Sequence, residues 1–225
     1  MTISNSLLHT LNGTHASMAG HLAFAIAAWS IGSGVTAELL GYWLQRPHSG
    51  WIGFLSRSHM EHHMVHYGPL QKQRTTQYRD ATAGRLALGN IGLEWLIPAA
   101  LVIAIAVTVL HRFHVRVAYQ LLSLGIGLGW GSLMFSFLHD VMHIEGFWLA
   151  RNRVLKRWFL SARRLHDIHH RVLNDRGLMD KNFGIGFFDR LFGTLTLQPA
   201  PFNQRGYAVA RAKFKYLEAV GLSKK

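Results

Sequence analysis

Three apolar stretches divide this chain, and the polar segments between them gather its histidines. Leu22 to Trp43 is 22 residues, about 33 Å as a helix and enough to cross a bilayer core. Leu88 to Leu110 is a second candidate span, with Glu94 near its start and Pro98 as a candidate kink. The third, Val117 to Leu138, follows the short link His111 to Arg116, so spans two and three read as an antiparallel hairpin. Its run Gly125-Ile126-Gly127-Leu128-Gly129-Trp130-Gly131 carries overlapping GxxxG spacings, from which close approach of a neighbouring helix is expected. Glu38 lies inside span one. A carboxylate is expensive in hydrocarbon, so it either faces a protein or aqueous interior or sits at the interface near the helix end.

The remaining segments are polar or amphipathic. Residues 1–18 hold no Lys or Arg, so the apolar stretch after them lacks the basic flank of a cleaved signal peptide. Phe147 to Phe159 mixes Arg151, Arg153, Lys156 and Arg157 with Trp148, Leu149, Trp158 and Phe159. That mixture predicts an interfacial helix or an amphipathic helix packed on the protein itself. The segment 203–225 is basic and expected to be peripheral. No linker sets off a second domain. The expected fold is all-α: one membrane-embedded domain over 1–225, a helical bundle with spans near 22–43, 88–110 and 117–138 and a cytosolic, histidine-rich helical cap.

Histidine supplies the candidate chemistry. His59-x-x-His62-His63 recurs as His166-x-x-His169-His170, and between them stands His139-x-x-x-His143. On a helix, positions i, i+3 and i+4 share a face, so each HxxHH run can aim three imidazoles at one point and the middle pair two more. With His at 15 of 225 positions, roughly 0.07 HxxHH matches are expected by chance, and there are two. Neutral imidazoles suit Zn, Fe, Cu or Ni without choosing among them. Eight ligands exceed what one ion needs, so two neighbouring metals are expected. Asp140, Asp167 and Glu61, adjacent in sequence, are candidates for fixing the histidine tautomers or are ordinary solvated carboxylates.

Composition removes several alternatives. The chain has no cysteine, which excludes thiolate zinc sites and iron–sulfur clusters. The formal charge of +13 invites a nucleic-acid reading, but the cations avoid the apolar stretches. Residues 46–87 hold six Lys and Arg, residues 139–225 sixteen, the hairpin link two and residues 1–18 none. Three crossings put all three histidine clusters on that basic side, and the positive-inside rule makes it cytoplasmic. A membrane face therefore explains the charge, and no nucleic-acid partner is expected.

With these boxes the chain resembles the fatty acid hydroxylase/sterol desaturase superfamily of membrane di-iron oxygenases. The stretch Asn182-Phe183-Gly184, followed by Asp189-Arg190-Leu191-Phe192-Gly193-Thr194, is similar to the family's usual sequence after its last box. The resemblance runs from about Glu38 to Thr194. It implies spanning helices with a cytosolic cap, two Fe ions held by His59, His62, His63, His139, His143, His166, His169 and His170, and O2-dependent hydroxylation or desaturation of a lipid. It also implies a separate electron donor, since no haem-binding pattern is visible. One departure stands out. The family's earlier box, His-Arg-x-x-(x)-His, corresponds to Gln45-Arg46-Pro47-His48, with Gln45 in place of the first His. His48 becomes a ninth candidate ligand, and His66, one turn beyond His62, a compensating one.

Two other functions fit the same residues. A membrane zinc hydrolase would need a carboxylate base, for which Glu61 is the most obvious candidate. A non-catalytic protein would keep the fold after the altered first box has cost it redox chemistry. The expected location is a bacterial inner membrane, because the C-terminal residues show no ER-retrieval pattern.

Overall fold

The structure is a computed structural model that describes residues 3–46, 53, 55–79 and 96–222. Among them every extended element is a helix, and β-pairing is limited to the single bridges Thr75–Ile144 and Leu173–Met179. Helix α1 spans Ile3–Gln45, α2 Arg57–Glu61, α3 Leu96–Arg112, α4 Val117–Gly131, α5 His139–Met142, α6 Lys156–Arg171, α7 Phe187–Leu191 and α8 Gln204–Leu222. Two wider turns of π-helix interrupt this order. One, His62–His66, continues α2, and the other, Ser132–Leu138, joins α4 to α5.

Two helical stretches, Ala19–Trp43 and Val117–Met142, are long and apolar enough to cross a membrane, and Ile97–Arg112 is a shorter apolar helix. Residues 88–95 of the expected second span, Glu94 among them, lie outside the described residues. Helices α1 and α4 run side by side in the same direction, because their contacts advance together along both chains. Trp29 donates to the Tyr119 carbonyl, Ser33 meets Ser123, Trp130 donates to Glu38, and Gly41 faces Phe135. A Cβ at Gly41 would overlap the Phe135 ring, so this crossing needs glycine. The link Phe113–Arg116 reverses the chain between α3 and α4, with Gln120 donating to the Val115 carbonyl. Both α1 and the α4 assembly thus deliver their C-terminal ends to the same place.

That place is the cap. Its first core packs Met60 and Met64 against Leu173, Leu178, Met179, Ala210 and Phe214. The second packs Met134, Phe135, Leu138, Val141 and Met142 against Leu149 and Phe159. The third is aromatic: Tyr42 of α1 sits among Phe183, Phe188 and Phe192.

Three local expectations are corrected here. The segment 203–225 is not peripheral over its described part, since Ala210 and Phe214 are buried on the first histidine box. A Cβ at Gly206 would strike the Asn174 carbonyl, so α8 lies backbone-close to the 174–178 turn. Among the described residues nothing lies within 4 Å of a Cβ placed at Gly125, Gly127 or Gly129, so these glycines do not make the contact with α1, which runs through Tyr119, Ser123 and Trp130. The stretch 147–159 is not one helix. A short 3₁₀ turn at Trp148–Ala150 is followed by a loop in which the Asn152 side chain accepts from the Val154 and Leu155 amides, and α6 starts at Lys156. Burial of Leu149 and Phe159 pins both ends of this loop.

A candidate metal centre of eight histidines

The first box sits where α2 passes into its π-turn, the second on α5 at the end of the α4 assembly, and the third on the last turns of α6. These elements bring eight predicted ligands together in two groups. His62, His139, His143, His166 and His170 form one, and His59, His63 and His169 the other; within each group the ligand atoms lie within 4.8 Å of one another. His63 joins the groups, its ring 4.0 Å from that of His170 and 4.4 Å from that of His59. His66 belongs to neither group. The i→i+5 turn that starts at His62 carries the fourth residue onward off the α-helical face. His48 lies outside the described residues.

Hydrogen bonds fix the tautomers. His143 donates from Nδ1 to the Gln73 carbonyl at 3.0 Å, His170 to the Tyr67 carbonyl at 3.0 Å and His169 to the Lys181 carbonyl at 2.6 Å. A carbonyl only accepts, so in a neutral ring the proton is on Nδ1 and Nε2 keeps its lone pair. His62 Nδ1 lies 3.4 Å from the Tyr78 hydroxyl. Of the predicted acceptors, Asp140 makes a long 3.5 Å contact with His139, whereas Asp167 pairs with Arg74. Backbone carbonyls therefore orient His143, His169 and His170, and the Tyr78 hydroxyl backs His62. Sequence reasoning missed Tyr67, Gln73 and Tyr78, because a carbonyl leaves no mark on residue type.

The Nε2 atoms then converge. His166 Nε2 lies 2.9 Å from that of His143 and 3.1 Å from that of His170, while His62 Nε2 lies 3.1 Å from that of His143. Since His143 and His170 both present lone pairs, one proton on His166 can point well at only one of them. Extra protons are not the remedy. Burial pushes the pKa of His62, His63, His143, His166 and His170 well below the ordinary histidine value, and neighbouring cationic rings would push them further. Burial also lowers His169, to about 4, against opposing help from the Lys181 carbonyl and Asp189. A metal cation is what such a set accommodates. Imidazoles bound at about 2.0–2.1 Å and at right angles around one ion stand about 3 Å apart. His63 fits the same account, with both ring nitrogens buried and, among the described residues, without a hydrogen-bond partner.

The segment after the third box clamps the site. Asn182, at φ 57°, donates to the Leu165 and Thr196 carbonyls and accepts from the Thr196 amide. Fully buried Asp189 accepts from the Phe183 and Gly184 amides and from the Thr194 hydroxyl, which also meets Tyr42. Phe183 packs edge-on against both His169 and Tyr42, so this loop carries the α1 end to the three-histidine group. Glu38 accepts from Trp130 at 2.7 Å and from the Ile185 amide at 3.3 Å, facing protein as one of its two expectations required. Arg163 braces α6 by donating to the Val141 and Ile144 carbonyls.

The arrangement is a buried, all-imidazole site that can hold metal, set where two apolar helices end. Comparisons of this chain with protein-family models, with curated proteins and with solved structures find no match.

Proposed function

We propose that this protein is an integral membrane di-iron oxidoreductase, a hydroxylase ahead of a desaturase, that acts on a lipid at an unactivated C–H bond. One observation carries the reading: eight histidines from three separated segments converge in two touching groups at the shared end of two apolar helices. Iron, and the superfamily that the boxes resemble, enter through that pattern and the Asn182–Thr194 clamp. His62, His139, His143, His166 and His170 hold one ion, and His59, His63 and His169 the other. When bound, the irons supply the O2-activating redox chemistry, with electrons from a separate donor. The chain's own residues keep the imidazoles neutral, hold their tautomers and exclude water from the centre.

Exposed apolar side chains on α1, α3 and α4, among them Phe24, Ile31, Ile97 and Leu121, support a lipid surround. Three crossings, with both α1 and the α4 assembly ending at the cap, suit a cytoplasmic histidine face under the positive-inside rule. A bacterial inner membrane remains the location we propose. We assign the departure at Gln45 to the three-histidine group on the ground that Tyr42, one turn before it, packs on Phe183, which packs on His169. The zinc-hydrolase alternative is less well supported: among the described residues no carboxylate joins either group.

Metal analysis of protein purified in mild detergent, together with reductant-dependent O2 uptake in the presence of lipid, tests the proposal. About two irons per chain and O2 uptake that requires the reductant are expected. Zinc retained after growth in ample iron, with no O2 uptake, would move the assignment to hydrolysis. Iron without O2 uptake would indicate a non-catalytic protein.

A further inference from the structure

The loop between α5 and α6 is built unlike the rest of the cap surface. Trp148 is 55% exposed, Val154 84% and, on the first turn of α6, Trp158 46%, yet the loop is held at both ends by buried Leu149 and Phe159. Asn152 fixes its turn through the Val154 and Leu155 amides, and Arg151 donates to the Gly146 carbonyl. This is a rigid apolar tip. Around it stand four cations, Arg151, Arg153, Lys156 and Arg157, all exposed, and no Asp or Glu occurs between Glu145 and Asp167. The tip is also continuous with the apolar surface of the α4 assembly: exposed Phe137 packs edge-on against Phe147, which touches Trp148.

We infer that this loop is a binding surface for anionic phospholipid headgroups, with Val154 and the two tryptophans in the interfacial layer and the cations on the phosphates. The inference rests on the membrane reading above. Aromatic rings favour the headgroup level, and each Lys or Arg near an anionic surface adds attraction. Continuity with Phe137 sets the loop at the depth where the apolar helix ends. Charge selects the occupant: four cations without a carboxylate match anionic lipid, and the exposed apolar tip matches the acyl boundary beneath it. A second copy of this chain would bring the same four cations against these.

The absence of cysteine makes a site-specific test direct. Val154→Cys and, separately, Leu128→Cys are labelled with a polarity-sensitive fluorophore and reconstituted in phosphatidylcholine vesicles with or without phosphatidylglycerol. A nitroxide lipid labelled at headgroup depth is expected to quench the label at 154, and more strongly when phosphatidylglycerol is present. A nitroxide deep in the acyl chains is expected to quench the label at 128. Arg153→Gln, Lys156→Gln and Arg157→Gln, which leave the Arg151 brace intact, should each weaken retention of labelled phosphatidylglycerol about fivefold. Quenching at 154 by aqueous iodide and not by nitroxide lipid, with 128 still quenched from the acyl region, overturns this inference alone. Failure at 128 overturns the membrane reading with it. Shielding of 154 from both quenchers that grows with protein concentration assigns the surface to a second copy and overturns the lipid assignment.

Discussion

The two histidine groups share a wall of rings but differ in how they are held. In the five-histidine group, His143 and His170 are tied to backbone carbonyls, His62 is backed by Tyr78, and four Nε2 atoms lie in a chain of contacts near 3 Å. In the three-histidine group His169 is tied to the Lys181 carbonyl, and among the described residues His63 has no hydrogen-bond partner at either ring nitrogen. Three rings of the larger set are thus held from outside it, whereas the central ring of the smaller one, His63, is not. Fixing donors in advance removes the ordering cost from binding, so the five-histidine group should take metal first and hold it more tightly.

The most damaging change should be His143→Ala, because His143 contacts both His62 and His166 through Nε2. Metal affinity at the larger group should fall by more than the roughly 10–100-fold typical of losing an outer partner. Unchanged stoichiometry and affinity on metal titration would show that the chain of contacts is not a ligand set. Removing His169 should instead cost about one ion per chain and leave the tighter ion in place. Loss of both ions together would erase the distinction between the groups.

Next comes the clamp. Asp189→Ala leaves two amides and a hydroxyl without their acceptor and should lower stability by about 3 kcal/mol. Because Phe183 and the Lys181 carbonyl reach His169, the smaller group should lose its ion first as this variant is heated. Release from both groups at one temperature would contradict that order.

Acidification of the metal-free protein tests the burial argument. The folded-state pKa values of six of these histidines lie below the unfolded value, so the unfolded chain binds more protons as pH falls. Their stability contribution is fully present above about pH 6.5. It is lost progressively as pH falls through the lowered values, including the value near 4 for His169. Thermal melts flat from pH 7 to 5, in the absence of metal, would contradict buried neutral rings. The smallest effect is expected from Gln45→His, which should tighten the weaker ion about tenfold if α1 serves that group. Metal titration that shifts the tighter ion instead would reassign the α1 end.

Much of the site is legible in the sequence because helix periodicity turns spacing into direction. His59, His62 and His63 need only local geometry to project together, and so do His166, His169 and His170, but neither run aims at one point as expected: His62, His166 and His170 go to the larger group and His59, His63 and His169 to the smaller. What spacing does not encode is the partner on the far side of each ring. The Tyr67 carbonyl that receives His170 lies 103 residues away. The burial of α8 was likewise illegible, because Ala210 and Phe214 form a sparse stripe among many cations and pack through glycine-backed contact at Gly206. The glycine run misled for the opposite reason: small residues permit close approach without causing it. The loop at 151–155 broke an expected helix because Asn152 takes the Val154 and Leu155 amides, which a helix continuing from Trp148 would have given to its own carbonyls, and so starts α6 afresh.

The Glu38 contacts have a consequence for the order in which a ribosome can complete this molecule. Trp130 is separated from Glu38 by 92 residues and Ile185 by 147. At about 5–20 residues per second, several seconds pass before the first partner is made and a few more before the second. During that interval only the segments before Trp130, α1 and α3 among them, have been made, and water must serve the carboxylate. Trp130 then joins the two helices, and the Ile185 amide closes the latch only after the third histidine box has been made. Glu38 therefore gains its two partners in the order in which the chain is made, one from the second apolar helix and one from the clamp.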